Sequence, residues 1–324
     1  MERSEERDVE ETGASPALRS AHVFDPGVSI CWTRAPHQVR QWPLGAHGLL
    51  YDRGWMVVNV NGVCLSQKRE PRLCLIRPEV QLQRDTLLLR APGMESLSVP
   101  LEANAQSQVC QSRVCGDRVE TQDCGEAAAD WLSDFLGQTC RLIRLNSGFT
   151  RDAKKKKRTK QQESSREDAA SSPLSLVNEA QYLMINRTSA EHIHRIIHNR
   201  DDLTSDQNLF LDVDNVVSRF RANLVVSAAT AFKEDEWSQL TITNTVFTVT
   251  GKCSRCHMVG INQETGDRTM EPLRTLSVYR DQGKVTFGVY LSHQLPQDSS
   301  RTTVLRVGSR VQPQTISSPG PDPV

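Results

Sequence analysis

The run Arg219–Arg280 decides the reading of this chain. It holds RFRANLVVS (219–227), AFKEDEW (231–237), TITNTVFTVTG (241–251), KCSRCHM (252–258) and INQETGDRTMEPLRTLSVYR (261–280). The threonine-rich stretch predicts a strand pair leading into Cys253-Ser254-Arg255-Cys256. Two thiols stand three residues apart beside Lys252, Arg255 and His257. Cations of that kind favour thiolate, the form that attacks electrophiles and binds soft metals. A lone CxxC equally describes a buried structural pair. The arginines and glycines crowding the same stretch suit an anionic ligand held near a soft centre.

Composition bounds the alternatives. A chain of 324 residues can bury a substantial core in one or two units. Lys+Arg and Asp+Glu balance at 39 each, so no global field selects nucleic acid or an acidic membrane, and an anion site must be local. Nine cysteines without a short-spaced framework point to a reducing compartment. The acidic opening MERSEERDVEE has no apolar h-region, and no apolar run reaches the roughly 18 residues that a membrane helix needs. The expectation is a cytosolic protein with neither nucleic-acid nor membrane partners.

Along the chain, residues 1–40 read as an irregular leader. Residues 41–150 open with Trp55–Val60, and Asn61-Gly62 predicts a type I′ hairpin turn there. Short strands are expected at Arg72–Ile76, Leu87–Arg90 and Val114–Val119. Asp123–Gly137 reads as a helix with Ala128, Trp131, Leu132, Phe135 and Leu136 on its core face. Asp123 and Glu126 resemble a capping pair, and Gly137 a stop. Residues 151–172, with AKKKKRTKQQESSREDAASS, form a charged linker. Their basic run lacks the aromatics that nucleic-acid stacking uses.

Residues 173–312 form the second half. A helix is expected over Thr188–Asn199, with Ile193, Ile196 and Ile197 inward. His194 and His198 have the spacing of a zinc pair, without an intervening HExxH glutamate. Strands return from Leu240, including Val285–Ser292 and a hairpin at Gly308-Ser309, before a tail at 313–324. No nucleophile elbow, P-loop or GxGxxG occurs. Cys110 and Cys115 make a poor second knuckle for a zinc ribbon.

FRAN (220–223), ED.W (234–237), C.RC (253–256), TG.R (265–268) and EPL.TL..YR (271–280), in that order, resemble the MOSC domain family. Within it they are most similar to the C-terminal domain of molybdenum cofactor sulfurases. GLLYDRGWMVVN (48–59) and QKREPRLCLI (67–76) resemble the family's N-terminal β-barrel half, and DCGE (123–126) and LSLVNEAQYL (174–183) agree. The resemblance spans roughly Trp42–Val311. It implies a mixed α/β, mostly β fold: an N-terminal β-barrel subdomain, then a β-barrel-like MOSC domain with peripheral helices.

The implied ligand is the molybdenum cofactor, a molybdenum-molybdopterin, whose phosphate suits the planar fork of arginine. By motif, Cys256 resembles the metal-facing and catalytic cysteine. Ser254, Arg255, Arg53, Arg221, Asn223 and Tyr290 resemble its other cofactor contacts. The activity implied is sulfuration of that cofactor, a sulfurtransferase step serving molybdenum hydroxylase apoenzymes such as xanthine dehydrogenase and aldehyde oxidase. Two departures stand out. VSIC (28–31) lacks the lysine of the family's Lys-Ser-Cys-like motif. No pyridoxal phosphate motif is found, so sulfur is expected from a cysteine desulfurase domain supplied separately. An amidoxime-reductase-like oxidoreductase and a non-catalytic cofactor-binding protein are the alternatives.

Overall fold

The structure is a computed structural model and describes residues 17–21, 40–103, 107–114, 117–146, 151–152, 173–176, 180–200, 212–280, 284–293 and 303–315. Helices α1 (Glu126–Leu136), α2 (Arg187–His198), α3 (Val213–Phe220) and α4 (Leu273–Tyr279) lie among them. Strands supply most of the remaining regular structure, so the fold is mixed and mostly β, as expected.

The first half is an N-terminal β-barrel domain. Its four-stranded antiparallel sheet runs Trp55–Asn59, Cys140–Leu145, Asp117–Asp123, Val109–Val114. A meander of Arg77–Gln81, Thr86–Arg90 and Leu97–Pro100 lies beside it. Trp55 and Val57 point one way, into a core shared with Leu87, Leu89 and the Leu132/Phe135 stripe of α1. Met56 and Val58 point the other way, onto Val119, Ile143 and Leu176. Period-two alternation with both faces buried is why WMVV reads as a continuous apolar run.

The second half curls a seven-stranded sheet. Its order is Ala17–Ala21, Leu224–Ser227, Tyr182–Asn186, Thr286–His293, Thr245–Ser254, Trp237–Ile242, Val311–Thr315. The pair Tyr182–Asn186 and Leu224–Ser227 is parallel, which demands a crossover, and α2 and α3 lie in that connection. One face packs Trp237, Leu240, Phe247 and Leu291 against Trp42, Leu44 and Leu49. Residues 41–49 therefore serve the second half's core, and Gln41–Gly45 pairs with Val304–Arg306. The other face carries Ile193, Ile197, Val216, Phe220 and Leu276 from the helices.

Several local expectations are corrected. Arg72–Ile76 is no strand: a 3-10 turn covers Pro71–Leu75, started by Pro71 and by the Glu70 carboxylate accepting from Arg72 N. The hairpin after Trp55–Asn59 exists, with Leu65 N donating to Val57 O at 2.9 Å, but its loop is Val60-Asn61-Gly62. Only Gly62 of the three takes positive φ, so a type I turn with a glycine bulge replaces type I′. Gly125, not Asp123, is the N-cap of α1. Asp123 still belongs to its strand, and its carboxylate holds Gly125 N (2.7 Å) and Arg141 Nε (2.5 Å). Gly308-Ser309 turns between strands of different sheets rather than closing a hairpin. Ala17–Ala21, inside the leader read as irregular, pairs with Leu224–Ser227 because that strand offers an open edge.

The α1 stripe, the Gly137 stop in left-handed conformation, and α2 with Ile193 and Ile197 buried all stand where expected. The linker expectation falls largely outside the described residues, although Arg151–Asp152 at its start pairs with Pro173–Leu174, just after it. Among the described residues no helix is long and apolar enough to cross a membrane.

Candidate functional site

The site is aimed by two bulges. Phe247 faces the Trp42 core, and a regular strand would put Cys253, six residues on, on that same face. Cys253 instead packs under the helices with Phe220 and Phe287. The register shifts between Val249 and Gly251 and again between Lys252 and Ser254. The partner strand changes phase too: Phe287 faces the helices while Val289 faces the other core. Gly288 lies between them with φ 76°. A Cβ there would stand 2.6 Å from Met184 O, so only glycine fits. Bulges of this kind re-aim side chains.

The two thiols thereby part company. Cys253 is 3% exposed, with its sulfur 2.9 Å from Arg255 Nη1 and 3.1 Å from Tyr290 Oη. Cys256 is exposed at the head of the 3-10 turn His257–Gly260, and its carbonyl accepts from Val259 N at 3.1 Å. Ser254 is exposed between them. Arg255 Nη2 donates to Phe220 O at 2.8 Å, and its guanidinium lies 5.3 Å over the Phe220 ring.

Phe220 ends α3, and the last carbonyls of a helix have no partner within it. Arginines supply the donors. Arg221, left-handed at φ 56°, turns the chain out of the helix, and its carbonyl faces Arg53 Nη2 at 3.5 Å. Arg53 is left-handed as well (φ 55°), and its Nη1 pairs with Asp52 Oδ2 at 2.5 Å. Asn223 is buried: its Nδ2 donates to Asp52 Oδ2 (2.9 Å) and its Oδ1 accepts from Leu183 N (2.7 Å). Arg221 Nη1 rests on Met258 Sδ at 2.6 Å. Two guanidiniums, those of Arg53 and Arg255, thus meet carbonyls at the end of α3, and that of Arg221 lies on Met258, two residues beyond the exposed Cys256.

The remaining motif residues brace this arrangement. Arg219 is fully buried and donates to Asn215 Oδ1 (2.8 Å), Gly260 O (3.1 Å), Thr269 Oγ1 (2.7 Å) and Glu271 O (3.1 Å). Burial pulls its pKa down to about 10. Asp235 pairs with Arg280 and, at 3.2 Å, with Lys252, which is therefore engaged away from the thiols. Glu234 is buried against Ser189 Oγ, and burial raises its pKa to about 7.

The two halves meet nearby. Arg268 Nη2 donates to Lys68 O at 2.8 Å, and Cys74 Sγ lies 3.5 Å from Asn262 O. Burial pushes the Cys74 thiol up to about 11. On these loops Gln67 and Gln263 are buried, and Gln67 Nε2 and Oε1 and Gln263 Oε1 have no hydrogen-bond partner among the described residues.

The expected residues therefore fall into two groups near the α3 terminus: Ser254, Arg255, Cys256 and Tyr290 around the CSRC turn, and Arg53 and Asn223 around Asp52, with Arg221 linking them through its carbonyl to Arg53 and its guanidinium to Met258. Reading the sequence missed Asp52, Met258 and Gln67. Asp52 adjoins Arg53 in YDRGW, which was signal enough to suspect an ion pair, whereas nothing local marks Gln67. The rings of His194 and His198 lie tilted at 53° with centroids 4.3 Å apart, and among the described residues no group of three metal-ligating side chains forms. VSIC (28–31) lies outside the described residues.

Comparison with known proteins gives the class first. Residues 34–139 match the MOSC N-terminal beta barrel domain and residues 171–312 the MOSC domain, and the chain belongs to this family. It is similar to the molybdenum cofactor sulfurase of Danio rerio, 50% identical over 315 residues, covering 96% of this chain and 36% of the relative. It is 48% identical to the molybdenum cofactor sulfurase of Bos taurus and 46% to that of Homo sapiens. Those two matches cover 86% of this chain, with 31% and 30% of the respective relatives. The chain spans about a third of the length of these relatives.

Proposed function

We propose that this chain binds the molybdenum cofactor and holds it while a terminal sulfur ligand is installed. One observation carries the reading: Arg53 reaches the carbonyl of Arg221 at the end of α3, and the Arg221 guanidinium lies on Met258, two residues from an exposed cysteine. The residues fit the group. Guanidinium forks suit a phosphate, and cysteine sulfur suits molybdenum. The unpartnered amide atoms of Gln67 and Gln263 suit a heterocycle with many hydrogen-bonding edges.

In this reading Arg53 and Arg221 bind the phosphate, each aimed by its left-handed backbone. Asp52 and Asn223 keep Arg53 in place. Cys256 offers the accessible sulfur, as metal ligand or as the carrier of the incoming sulfur atom, and Ser254 flanks it. When bound, the cofactor supplies a metal whose terminal ligand is exchanged for sulfur. A cysteine desulfurase domain using pyridoxal phosphate is the source of that sulfur. Molybdenum hydroxylase apoenzymes of the xanthine dehydrogenase and aldehyde oxidase type are the recipients, in the cytosol.

The test is metal and pterin analysis of the purified chain, followed by X-ray absorption at the molybdenum edge on Cys256→Ser and Cys253→Ser. Stoichiometric molybdenum with a protein-derived sulfur ligand lost only in Cys256→Ser is expected. A chain that retains neither molybdenum nor pterin overturns the proposal.

A further inference from the structure

Arg255 bridges the CSRC turn and the end of α3. Its Nη1 is bound to Cys253 Sγ at 2.9 Å and its Nη2 to Phe220 O at 2.8 Å. Its plane covers the Phe220 ring, and its own N–H donates to Val285 O at 2.8 Å. Both ends of the fork are thus engaged by protein. The Cys253 sulfur in turn meets Arg255 two residues on, Tyr290 on the paired strand, with its hydroxyl 3.1 Å away, and Ser254 O at 3.7 Å. A cysteine that is 3% exposed, with its sulfur held between a guanidinium and a phenol, is closed to an incoming donor, whereas Cys256 is exposed.

We propose that Cys253, Arg255 and Tyr290 form a positioning cluster rather than a set of ligand contacts. Arg255 is its central positioning residue, tying the CSRC turn to the C-terminal carbonyl of α3. That tie fixes the turn from which Arg221 projects and whose next carbonyl faces Arg53. The fork matters because the two acceptors lie in different directions from one planar group, a geometry that a lysine ammonium cannot copy. The inference rests on the reading of Arg53 and Arg221 as anion ligands for its functional arm only; the structural arm stands by itself.

The experiment takes the full chain with Arg255→Met, Arg255→Lys, Cys253→Ser and Cys253→Ala, and follows amide hydrogen exchange at Arg221 and Asn223 together with molybdenum retained per chain. Exchange at both amides should rise about tenfold in Arg255→Met, the scale set by one lost hydrogen bond from a charged group. Arg255→Lys, which keeps one of two bonds, should fall between. Serine keeps an acceptor for Arg255, so Cys253→Ser should resemble the unaltered chain in exchange and molybdenum, while Cys253→Ala should show faster exchange at both amides and lose molybdenum. Unchanged exchange at Arg221 and Asn223 in Arg255→Met overturns the cluster. So does equal loss of molybdenum in both Cys253 variants with normal exchange, which would make Cys253 a sulfur carrier. If the unaltered chain holds no molybdenum, the cofactor reading fails while the exchange results still decide the positioning role.

Discussion

Arg53 and Arg221 lie 168 positions apart, yet the guanidinium of the first reaches the carbonyl of the second, and both residues are left-handed. That conformation costs a non-glycine residue roughly 1–2 kcal/mol. At Arg221 that conformation ends α3, whose C-cap it is.

Replacing Arg221 by glycine should therefore separate stability from binding. Glycine accepts φ 56° without strain, so the urea midpoint should hold or rise slightly. Molybdenum retained by the purified chain should fall sharply, because the guanidinium on Met258 is gone.

Asn223→Asp should destabilise more than Asn223→Ala at pH 7. Alanine leaves Leu183 N and part of Asp52 unpaired, a cost of about 2 kcal/mol. Aspartate adds a like charge against buried Asp52. Equilibrium urea unfolding at pH 7 and pH 4 checks the order, and the gap between the variants should narrow at the lower pH.

Gly288→Ala should be far worse than Gly137→Ala. Both glycines have positive φ, but nothing stands within 4 Å of a Cβ at Gly137, whereas Met184 O stands 2.6 Å from one at Gly288. The expectation is about 1 kcal/mol for Gly137 and 3 kcal/mol or more for Gly288. Alkylation of Cys253 should also speed up in Gly288→Ala, since the bulge that hides it is disturbed.

Two buried groups should oppose each other in the pH dependence of stability. Burial raises Glu234 from 4.5 to about 7, so the folded chain binds the extra proton and this group's contribution declines as pH rises from about 4.5 to 7. Burial lowers His293 from 6.5 to about 4, so its contribution is present above 6.5 and is lost as pH falls towards 4. Glu234→Gln should thus leave stability rising from pH 4 to 6.5, and His293→Gln should leave it falling from pH 4.5 to 7. Denaturant titrations at half-unit pH steps resolve the two slopes.

Apolar spacing in Asp123–Gly137 and Thr188–Asn199 placed two helices, since i, i+3 and i, i+4 positions share a face whatever surrounds them. Ordered motifs placed the family. Local signals were weaker where tertiary partners compete: Arg72–Ile76 is apolar enough for a strand, but Pro71 and the Glu70 carboxylate turn it into a 3-10 helix.

Which thiol faces outward was decided only by the tertiary structure. Cys253 and Cys256 share one set of neighbours in sequence, so local electrostatics could not rank them. Bulges at Gly251 and Gly288 rotate one cysteine beneath the helices and leave the other in solvent, and a bulge exists only when a partner strand defines the register it breaks. Motif residues such as Arg219 and Asp235 likewise proved to be braces. A side chain's role depends on which distant carbonyls and carboxylates lie within about 3 Å of it, and that is a property of the folded chain alone.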